Sequence, residues 1–375
     1  MRPVLFASML ATSALLCACD DADTTTPTTA TGSGTAGSGA TAHGGGGTGG
    51  DGTGASSTGG STSTGGSSHG SSVTVQGSGF GAKAQPGPVI YDDFESGAVG
   101  SNVENQPAVV GQWETGAGSG NPIYTDAQAH AGQRACHNPF TQQVYNSSLA
   151  VNLDFDKAYL DYWVRAEPLD PTEPDGLTRN WKPFRLYGNS DAYQSGVTML
   201  NGAGSMIVYY LGGGATDVTE WYGAPTYPRR QWFHIQYWLV LNDVGSANGA
   251  VRALVDGQSD GADQVELRSA DIPMNQVRIG HYWATDGVSG WDYTNPGADI
   301  YVDSVYFDTS WARVELGDAA DYDSCTHREI QLVTAWSDTE VTFTIQQGSL
   351  PAGSAWAFVI DDSDQVRATE AITLQ

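Results

Sequence analysis

The sequence predicts an all-β protein, in which an antiparallel sandwich or jelly roll is followed by a small β module. Short segments rich in aromatic and β-branched residues alternate with Gly, Asn, Asp and Pro, and no long segment shows helical periodicity. After about residue 317 the strand-like segments become shorter. Four regions follow from this pattern: a signal peptide at 1–19, a tether at 20–86, the jelly roll at 87–316 and the module at 317–375.

The first region is typical of an export signal. One basic residue, Arg2, precedes an apolar run at 4–16, which is too short to span a membrane as a helix. The run ends in Leu-Cys-Ala-Cys and resembles the lipobox of bacterial lipoproteins, which implies lipidation at Cys19. The chain would then sit in the bacterial cell envelope, with its folded head in the periplasm or at the cell surface and only the lipid in the membrane. An ordinary secretory signal is the alternative.

Residues 20–86 consist mainly of Thr, Gly, Ser and Ala, with almost no aromatic residues. A segment of this composition buries too little apolar surface to offset the entropy lost on ordering. We therefore expect a disordered, flexible tether that holds the folded part away from the lipid.

The strand-like segments of the jelly roll lie at 157–165, 206–211, 232–242, 251–256, 277–283 and 299–308. The clearest is 232–242, where side chains alternate between two faces. The apolar face carries Phe233, Ile235, Tyr237, Leu239 and Leu241. The opposite face carries Trp232, His234, Gln236 and Trp238.

That second face combines aromatic rings with hydrogen-bonding groups. Rings stack on pyranose faces while polar groups bind hydroxyls, so the pattern favours a sugar-binding surface. The alternative is that a loop or the second domain covers it. Further aromatic and polar candidates for carbohydrate binding on other strands are Trp181, His281 and Trp283.

The run WFHIQYWLVLN at 232–242, followed by GSANG at 245–249 and RALVDG at 252–257, resembles the concanavalin A-like jelly rolls of bacterial polysaccharide lyases and laminin-G-type domains. Segments 180–187, 279–283 and 300–306 are similar to further strands of such proteins. The resemblance covers roughly residues 88–312 and implies a concanavalin A-like fold more firmly than an activity. The 317–375 region resembles the small immunoglobulin-like modules of bacterial surface proteins.

A glucanase of this fold is disfavoured because the chain has no Glu-x-Asp-x-x-Glu string. Three other functions are compatible with the fold. A polysaccharide lyase acting by β-elimination would need a group that neutralises the uronate carboxylate, together with a base and an acid, and His234, Gln236, Arg185 and Tyr187 are the candidates. Polysaccharide binding without catalysis is our main interpretation, and a structural or adhesive envelope protein is the third.

The net charge of −26 bears on the partner. Such a field repels nucleic acid and anionic polymers unless a local basic groove overrides it, so nucleic acid is excluded as a partner and a neutral polysaccharide is the easier one to accept. The sequence carries no signal for the oligomeric state.

The sequence requires no cofactor, but acidic residues allow a structural calcium site. Asp93 and Glu95, near the start of the jelly roll, would meet Asp303, near its end, if the terminal strands pair. An acidic, solvated edge that discourages aggregation is the alternative.

Cys136 and Cys325 are the only cysteines after the signal and anchor. In an exported protein, two remaining cysteines predict a disulfide. This bond would tie the jelly roll to the segment after residue 313.

Overall fold

The computed structural model describes residues 69–116, 120–141, 147–168, 180–188, 194–200, 205–211, 218–223, 230–283 and 297–375. Its strands in chain order are β1 (His69–Gln76), β2 (Ile90–Asp92), β3 (Ile123–Thr125), β4 (Ala135–Thr141), β5 (Leu149–Phe155), β6 (Lys157–Pro168), β7 (Asn180–Gly188), β8 (Gln194–Leu200), β9 (Ser205–Leu211), β10 (Val218–Gly223), β11 (Trp232–Val240), β12 (Gly249–Val255), β13 (Gln258–Val265), β14 (Met274–Trp283), β15 (Gly297–Asp308), β16 (Arg313–Gly317), β17 (Arg328–Ile330), β18 (Leu332–Trp336), β19 (Glu340–Gln346), β20 (Gly353–Ile360) and β21 (Val366–Leu374). A short 3-10 helix spans Tyr322–Ser324.

The all-β prediction is confirmed. A large sheet has the order β13-β12-β11-β6-β15-β4-β3, with β2 paired to β15, and a six-stranded sheet has the order β10-β9-β8-β7-β14-β5. Neighbouring strands pair antiparallel throughout. Both sheets contribute to one apolar core, and this makes the two sheets a sandwich.

The alternation along β11 sets the orientation of the large sheet. Phe233, Ile235, Tyr237 and Leu239 are fully buried in the sandwich core, as the sequence predicts. On the facing sheet, the core side chains of β7 and β14 are Trp181, Phe184, Leu186, Met274, Val277, Ile279 and Trp283. Residues between these inward positions must point away from the core.

A bulge in β15 preserves this pattern. The register shifts between Asp303 and Tyr306, and Ser304 adopts a left-handed φ of 52°. The extra residue lets Val302 and Val305 both face the core although they are three positions apart.

The C-terminal part forms two small antiparallel sheets around a second core. Their orders are β1-β19-β18 and β17-β16-β20-β21, and the shared core includes Val75, Leu316, Phe343 and Val359. We call these two sheets the module. One of its strands, β1, lies in the region predicted as tether, so the tether prediction is wrong for His69–Gln76. Local composition hides this strand because its partner, β19, is about 270 residues further along the chain.

The predicted disulfide is also wrong, because both cysteines are free. Cys136 is buried in the sandwich core, while Cys325 follows the 3-10 helix and its Sγ lies 3.4 Å from the carbonyl oxygens of Ala319 and Asp321. No helix among the described residues is long and apolar enough to cross a membrane. Cys19 and most of the predicted tether lie outside the described residues.

Candidate functional site

The outer face of β11, which carries Trp232, His234, Gln236 and Trp238, is called the covered face here because the module packs against it. Gln236 is fully buried, and its amide nitrogen donates to Tyr159 Oη at 2.6 Å, to Asp161 Oδ2 at 3.0 Å and to Glu315 Oε1 at 3.2 Å. Glu315 belongs to β16 of the module. Of the two alternatives for this face, the structure therefore supports coverage by a second domain over an open sugar surface.

Buried charges hold this interface together. Arg313 Nε lies 2.5 Å from Glu315 Oε1, and Arg328 Nε lies 3.0 Å from Glu315 Oε2. Burial alone would raise the pKa of Glu315, but the two guanidinium groups outweigh it and lower that pKa to about 2. Glu315 is thus an anion with two fixed partners, and such a network stabilises a domain contact only while it stays complete.

His234 belongs to the same network. Its Nε2 atom lies 2.8 Å from Asp161 Oδ1. Burial would lower the pKa of His234, yet the adjacent Asp161 carboxylate raises it above its ordinary value. Within this network the contact with Asp161 orients the imidazole of His234 and stabilises its protonated form.

The predicted sugar-stacking tryptophans do not form a platform. Trp181 and Trp283 are fully buried in the sandwich core, with ring centroids 5.9 Å apart. Trp232 is partly buried beside His130, at a centroid distance of 5.8 Å. The side chain of His281 lies outside the described part of the structure.

The four candidate catalytic residues divide into two pairs on opposite sides of the sandwich. Arg185 and Tyr187 alternate with the core residues Phe184 and Leu186 of β7, so they face outward from the six-stranded sheet. His234 and Gln236 face outward from the large sheet. Because the core lies between the two pairs, they cannot act on one substrate.

Arg185 and Tyr187 have other neighbours that sequence reasoning passed over. Arg278 of β14 is paired in register with Arg185, and Tyr282 is paired with Lys182. Lys182 and Tyr282 directly adjoin the core residues Trp181 and Trp283 and so point to the same outer side. We call Lys182, Arg185, Tyr187, Arg278 and Tyr282 together the basic face.

The contacts within the basic face are close. Arg185 Nη1 donates to Tyr187 Oη at 3.1 Å, and the guanidinium carbon of Arg278 lies 4.2 Å from the centroid of the Tyr187 ring. Lys182 Nζ lies 4.3 Å from the centroid of the Tyr282 ring. Lys182 and Arg185 are each only 1% exposed. Three cations and two phenols therefore share one side of a single sheet, where cation–π contacts and a hydrogen bond orient them.

Polar groups extend the basic face toward both edges of its sheet. Gln276, paired in register with Tyr187, accepts from Arg278 Nε and donates to Asn152 Oδ1 on β5. Gln194 of β8 pairs with Tyr187 from the other side. Polar side chains thus lie on at least four neighbouring strands of this sheet, β8, β7, β14 and β5.

The carboxylates predicted as calcium ligands accept hydrogen bonds from backbone amides. Asp303 accepts from the amides of His130 at 2.8 Å and Ser304 at 2.7 Å, and burial raises its pKa well above the ordinary range. Glu95 Oε1 accepts from the amides of Gln133 and Arg134, and Asp93 Oδ1 accepts from the amide of Glu95. Among the described residues these three carboxylates do not form a convergent ligand set. They order the chain before β4 instead.

A different group converges, namely His130, His327 and Glu329, whose ligand atoms all lie within 4.8 Å of one another. Sequence reasoning missed it because His130 and Glu329 are 199 positions apart. No local spacing signals such a group. Arg278 was missed for a related reason, since only the pairing of β14 with β7 brings it to Arg185.

No protein-family model matches the sequence, and no curated protein matches it. Solved structures similar to this chain include an endo-β-1,4-glucuronan lyase from the fungus Trichoderma reesei, at 15% identity and a TM-score of 0.44, covering 60% of this chain and 97% of that one. The alginate lyase Aly36B matches at 13% identity and a TM-score of 0.41, covering 60% and 98%. The alginate lyase vAL-1 from Chlorella virus matches at 11% identity and a TM-score of 0.38, covering 52% and 92%. These neighbours are polysaccharide lyases with a jelly-roll-like β fold, and at TM-scores under 0.5 they do not decide the reaction of this chain.

Proposed function

We propose that the protein is a polysaccharide lyase, which cleaves a uronate-containing glycan by β-elimination at the basic face. The observation that carries the proposal is the grouping of Lys182, Arg185 and Arg278 with Tyr187 and Tyr282 on one side of the six-stranded sheet. These are the residue types that β-elimination requires: cations for the carboxylate and hydroxyl groups for proton transfer.

The cations also answer the objection from net charge. A chain with net charge −26 repels an anionic polymer at long range. At short range, two guanidinium groups and an ammonium group on one face create a local positive field, and a guanidinium can bind a carboxylate through two parallel hydrogen bonds. A uronate glycan is therefore a better substrate for this face than a neutral one.

The reaction assigns a role to each group. Arg185 and Arg278 bind the uronate carboxylate and stabilise the charge that develops when the adjacent carbon loses its proton. Tyr187 acts as the phenolate, whose charge the Arg185 guanidinium stabilises, and it takes up that C5 proton to become the neutral phenol. The C5–H electron pair forms the C4=C5 double bond, the C4–O bond breaks, and Tyr282 beside Lys182 protonates the departing oxygen. The products are an unsaturated uronate end and a new reducing end, with no oxidant and no water consumed.

The test uses the full chain with alginate, glucuronan, pectate and a neutral β-glucan, and follows ultraviolet absorbance of unsaturated uronates. We expect absorbance with at least one uronate polymer and a loss of at least a hundredfold in Tyr187→Phe. The matched control is Tyr301→Phe, because Tyr301 is a buried tyrosine on the large sheet.

Each outcome has a distinct meaning. Full activity of Tyr187→Phe would remove this residue from the reaction. Retention on a uronate polymer without any absorbance change would make the protein a binding module, which is the second candidate because both stacking rings and cations also suit binding alone. Equal retention of the neutral glucan would contradict the role of the cations.

We further infer that Cys19 is lipidated and anchors the chain in a bacterial envelope. The support is the apolar run at 4–16 followed by a cysteine after small residues. Incorporation of a labelled fatty acid that disappears in Cys19→Ser would support this anchor, and equal labelling of the variant would contradict it.

A further inference from the structure

We propose that His130, His327 and Glu329 bind one divalent transition-metal ion of the zinc class, and that this ion joins the module to the jelly roll. The proposal is independent of the lyase activity, because these residues lie at the large sheet and the basic face lies on the six-stranded sheet. The donor set, two imidazoles and one carboxylate, is one that zinc uses in proteins.

The three ligands come from segments that the fold brings together. His130 lies between β3 and β4, and its backbone amide donates to Asp303 Oδ2 at 2.8 Å. Glu329 is the middle residue of β17, and His327 immediately precedes that strand. The jelly roll supplies one ligand and the module supplies two.

The distances suit a metal of this size. His130 Nε2 lies 2.9 Å from Glu329 Oε1, and His327 Nε2 lies 2.6 Å from the same oxygen. In a tetrahedral zinc site with bonds of about 2.0 to 2.1 Å, ligand atoms are roughly 3.3 Å apart. To place all three around one ion, the first of these distances would have to lengthen by roughly 0.4 Å and the second by roughly 0.7 Å.

Neighbouring groups support and complete the site. Trp163 Nε1 lies 3.2 Å from Glu329 Oε2, while Glu329 Oε1 faces the two histidines and also accepts from the backbone amide of Ser349 at 2.9 Å. Ser349 Oγ lies 3.2 Å from His327 Nε2 and 3.3 Å from Glu329 Oε1. A hydroxyl at that position can serve as a fourth ligand or hold a water molecule there.

The surroundings combine burial with a route of entry. The side chains of His130 and Glu329 are 4% and 3% exposed, while that of His327 is 25% exposed. His327 also lines a groove of about 660 Å³ between the large sheet and the module. Trp163 stacks on His130 at a centroid distance of 3.8 Å and on His327 at 5.1 Å, so both imidazoles are restricted before an ion arrives.

A structural role follows from where the ligands lie. The ion would close a loop of nearly 200 residues between His130 and Glu329, and binding to the folded state alone stabilises that state. The alternative is a hydrogen-bonded His–Glu–His cluster that holds the interface without metal. The two cases differ in whether a metal binds stoichiometrically.

The test uses untagged full-length protein, stripped with a chelator and dialysed, and titrated with Zn²⁺ by calorimetry. We expect one ion per chain and a rise in the melting temperature of roughly 5 °C when free Zn²⁺ is a hundredfold above Kd. Co²⁺ in the same site should show the intense visible absorption of tetrahedral coordination.

The variants separate this site from adventitious binding. His327→Ala, at the most exposed ligand, should weaken Zn²⁺ at least tenfold and abolish the rise in melting temperature, and His130→Gln should act in the same direction. The control is His137→Ala, which removes an imidazole that pairs with a carboxylate, Asp299, at 2.7 Å outside the group. Failure of the wild type to bind Zn²⁺, or unchanged binding in both ligand variants, would overturn the proposal. Lyase activity that persists in His327→Ala would leave it intact.

Discussion

The amide nitrogen of Gln236, in the middle of β11, lies 3.2 Å from Oε1 of Glu315 on β16, and both side chains are fully buried. This contact belongs to a charged network that joins the jelly roll to the module, beside an apolar cluster in which Ile330 of the module packs with Tyr159 and Trp238. Arg313 and Arg328 flank Glu315, and the same amide nitrogen of Gln236 also donates to Asp161 Oδ2. Because buried charges are costly when unpaired, the domain contact should depend strongly on each member of this network.

We predict that Glu315→Gln lowers the free energy of unfolding by about 3 to 5 kcal/mol, since it removes the buried carboxylate that Arg313 and Arg328 share and leaves Arg313 with the Asp364 carboxylate. The measurement is urea unfolding of the full chain. Glu340→Gln is the control, because Glu340 is exposed and its substitution should cost under about 0.5 kcal/mol.

The lowered pKa of Glu315 means that its contribution to stability is complete above the unfolded pKa near 4.5 and is lost as pH falls toward 2. The difference between wild type and variant should therefore shrink below pH 4.

We predict that Trp181→Ala destabilises the protein by about 3 to 5 kcal/mol, because it opens a cavity in the sandwich core. Trp232→Ala should cost much less, since Trp232 is partly exposed. Thermal unfolding of both variants checks this. Equal losses would mean that Trp232 is packed as tightly as the core residue.

We predict that Cys136 and Cys325 are both thiols in the isolated protein. Burial raises the pKa of Cys136 well above its ordinary value and removes it from solvent, so in the native state iodoacetamide should modify Cys325 first. After denaturation without a reductant both residues should be alkylated, as read by peptide mass spectrometry. A Cys136–Cys325 linked peptide in the unreduced digest would contradict the structure.

The sequence predicted the parts of the fold that depend on local alternation. Phe233, Ile235, Tyr237 and Leu239 face the core as expected, because period-two burial is a property of a single strand. What lies beyond the outer face of β11 could not be predicted, because β16, the module strand that contributes Glu315 to this contact, begins some 70 residues later. The same alternation that favours a sugar-binding surface also serves a polar domain interface.

The candidate site was predicted in fragments for the same reason. Alternation along a strand predicts that Arg185 and Tyr187 share one face and that His234 and Gln236 share another, but it does not tell whether the two faces meet, and the strand order places them in different sheets. Which strands become neighbours depends on pairing across long stretches of chain, as with Arg278 and Arg185. An even number of cysteines in an exported chain likewise favours a disulfide, but it does not predict whether the two sulfur atoms lie within bonding distance.

We predict that Arg278→Gln weakens binding of uronate oligosaccharides roughly tenfold, because it removes one charge-assisted contact from the basic face. Binding of the wild type should also weaken as salt rises, whereas that of the variant should change less. The control is Arg252→Gln, since Arg252 pairs with Asp263 on the large sheet and should have no effect. Isothermal titration calorimetry at two salt concentrations measures the affinity of each protein and its dependence on salt. An equal loss in the two variants would point to general electrostatics.

Asp92 is a buried carboxyl group whose Oδ2 accepts from Trp113 Nε1 at 2.7 Å and whose Oδ1 accepts from the amide of Phe94 at 3.0 Å. Burial raises the pKa of Asp92 to about 7, because desolvation outweighs these two hydrogen bonds. The unfolded chain releases this proton near pH 4, while the folded chain holds it up to about pH 7. Between these values the folded state binds more protons, so stability must fall as pH rises.

Asp92→Asn cannot ionise and should lack this slope. The wild type should lose on the order of a few kcal/mol relative to the variant between pH 4 and pH 8, since each unit of pKa shift corresponds to about 1.4 kcal/mol. Urea unfolding of both proteins at several pH values measures the difference, in which contributions from other carboxylates cancel. The variant loses one acceptor and starts from a lower stability, but only its slope is at issue. Parallel curves for the two proteins would show that Asp92 is already ionised in the folded state, with water or a cation compensating its charge.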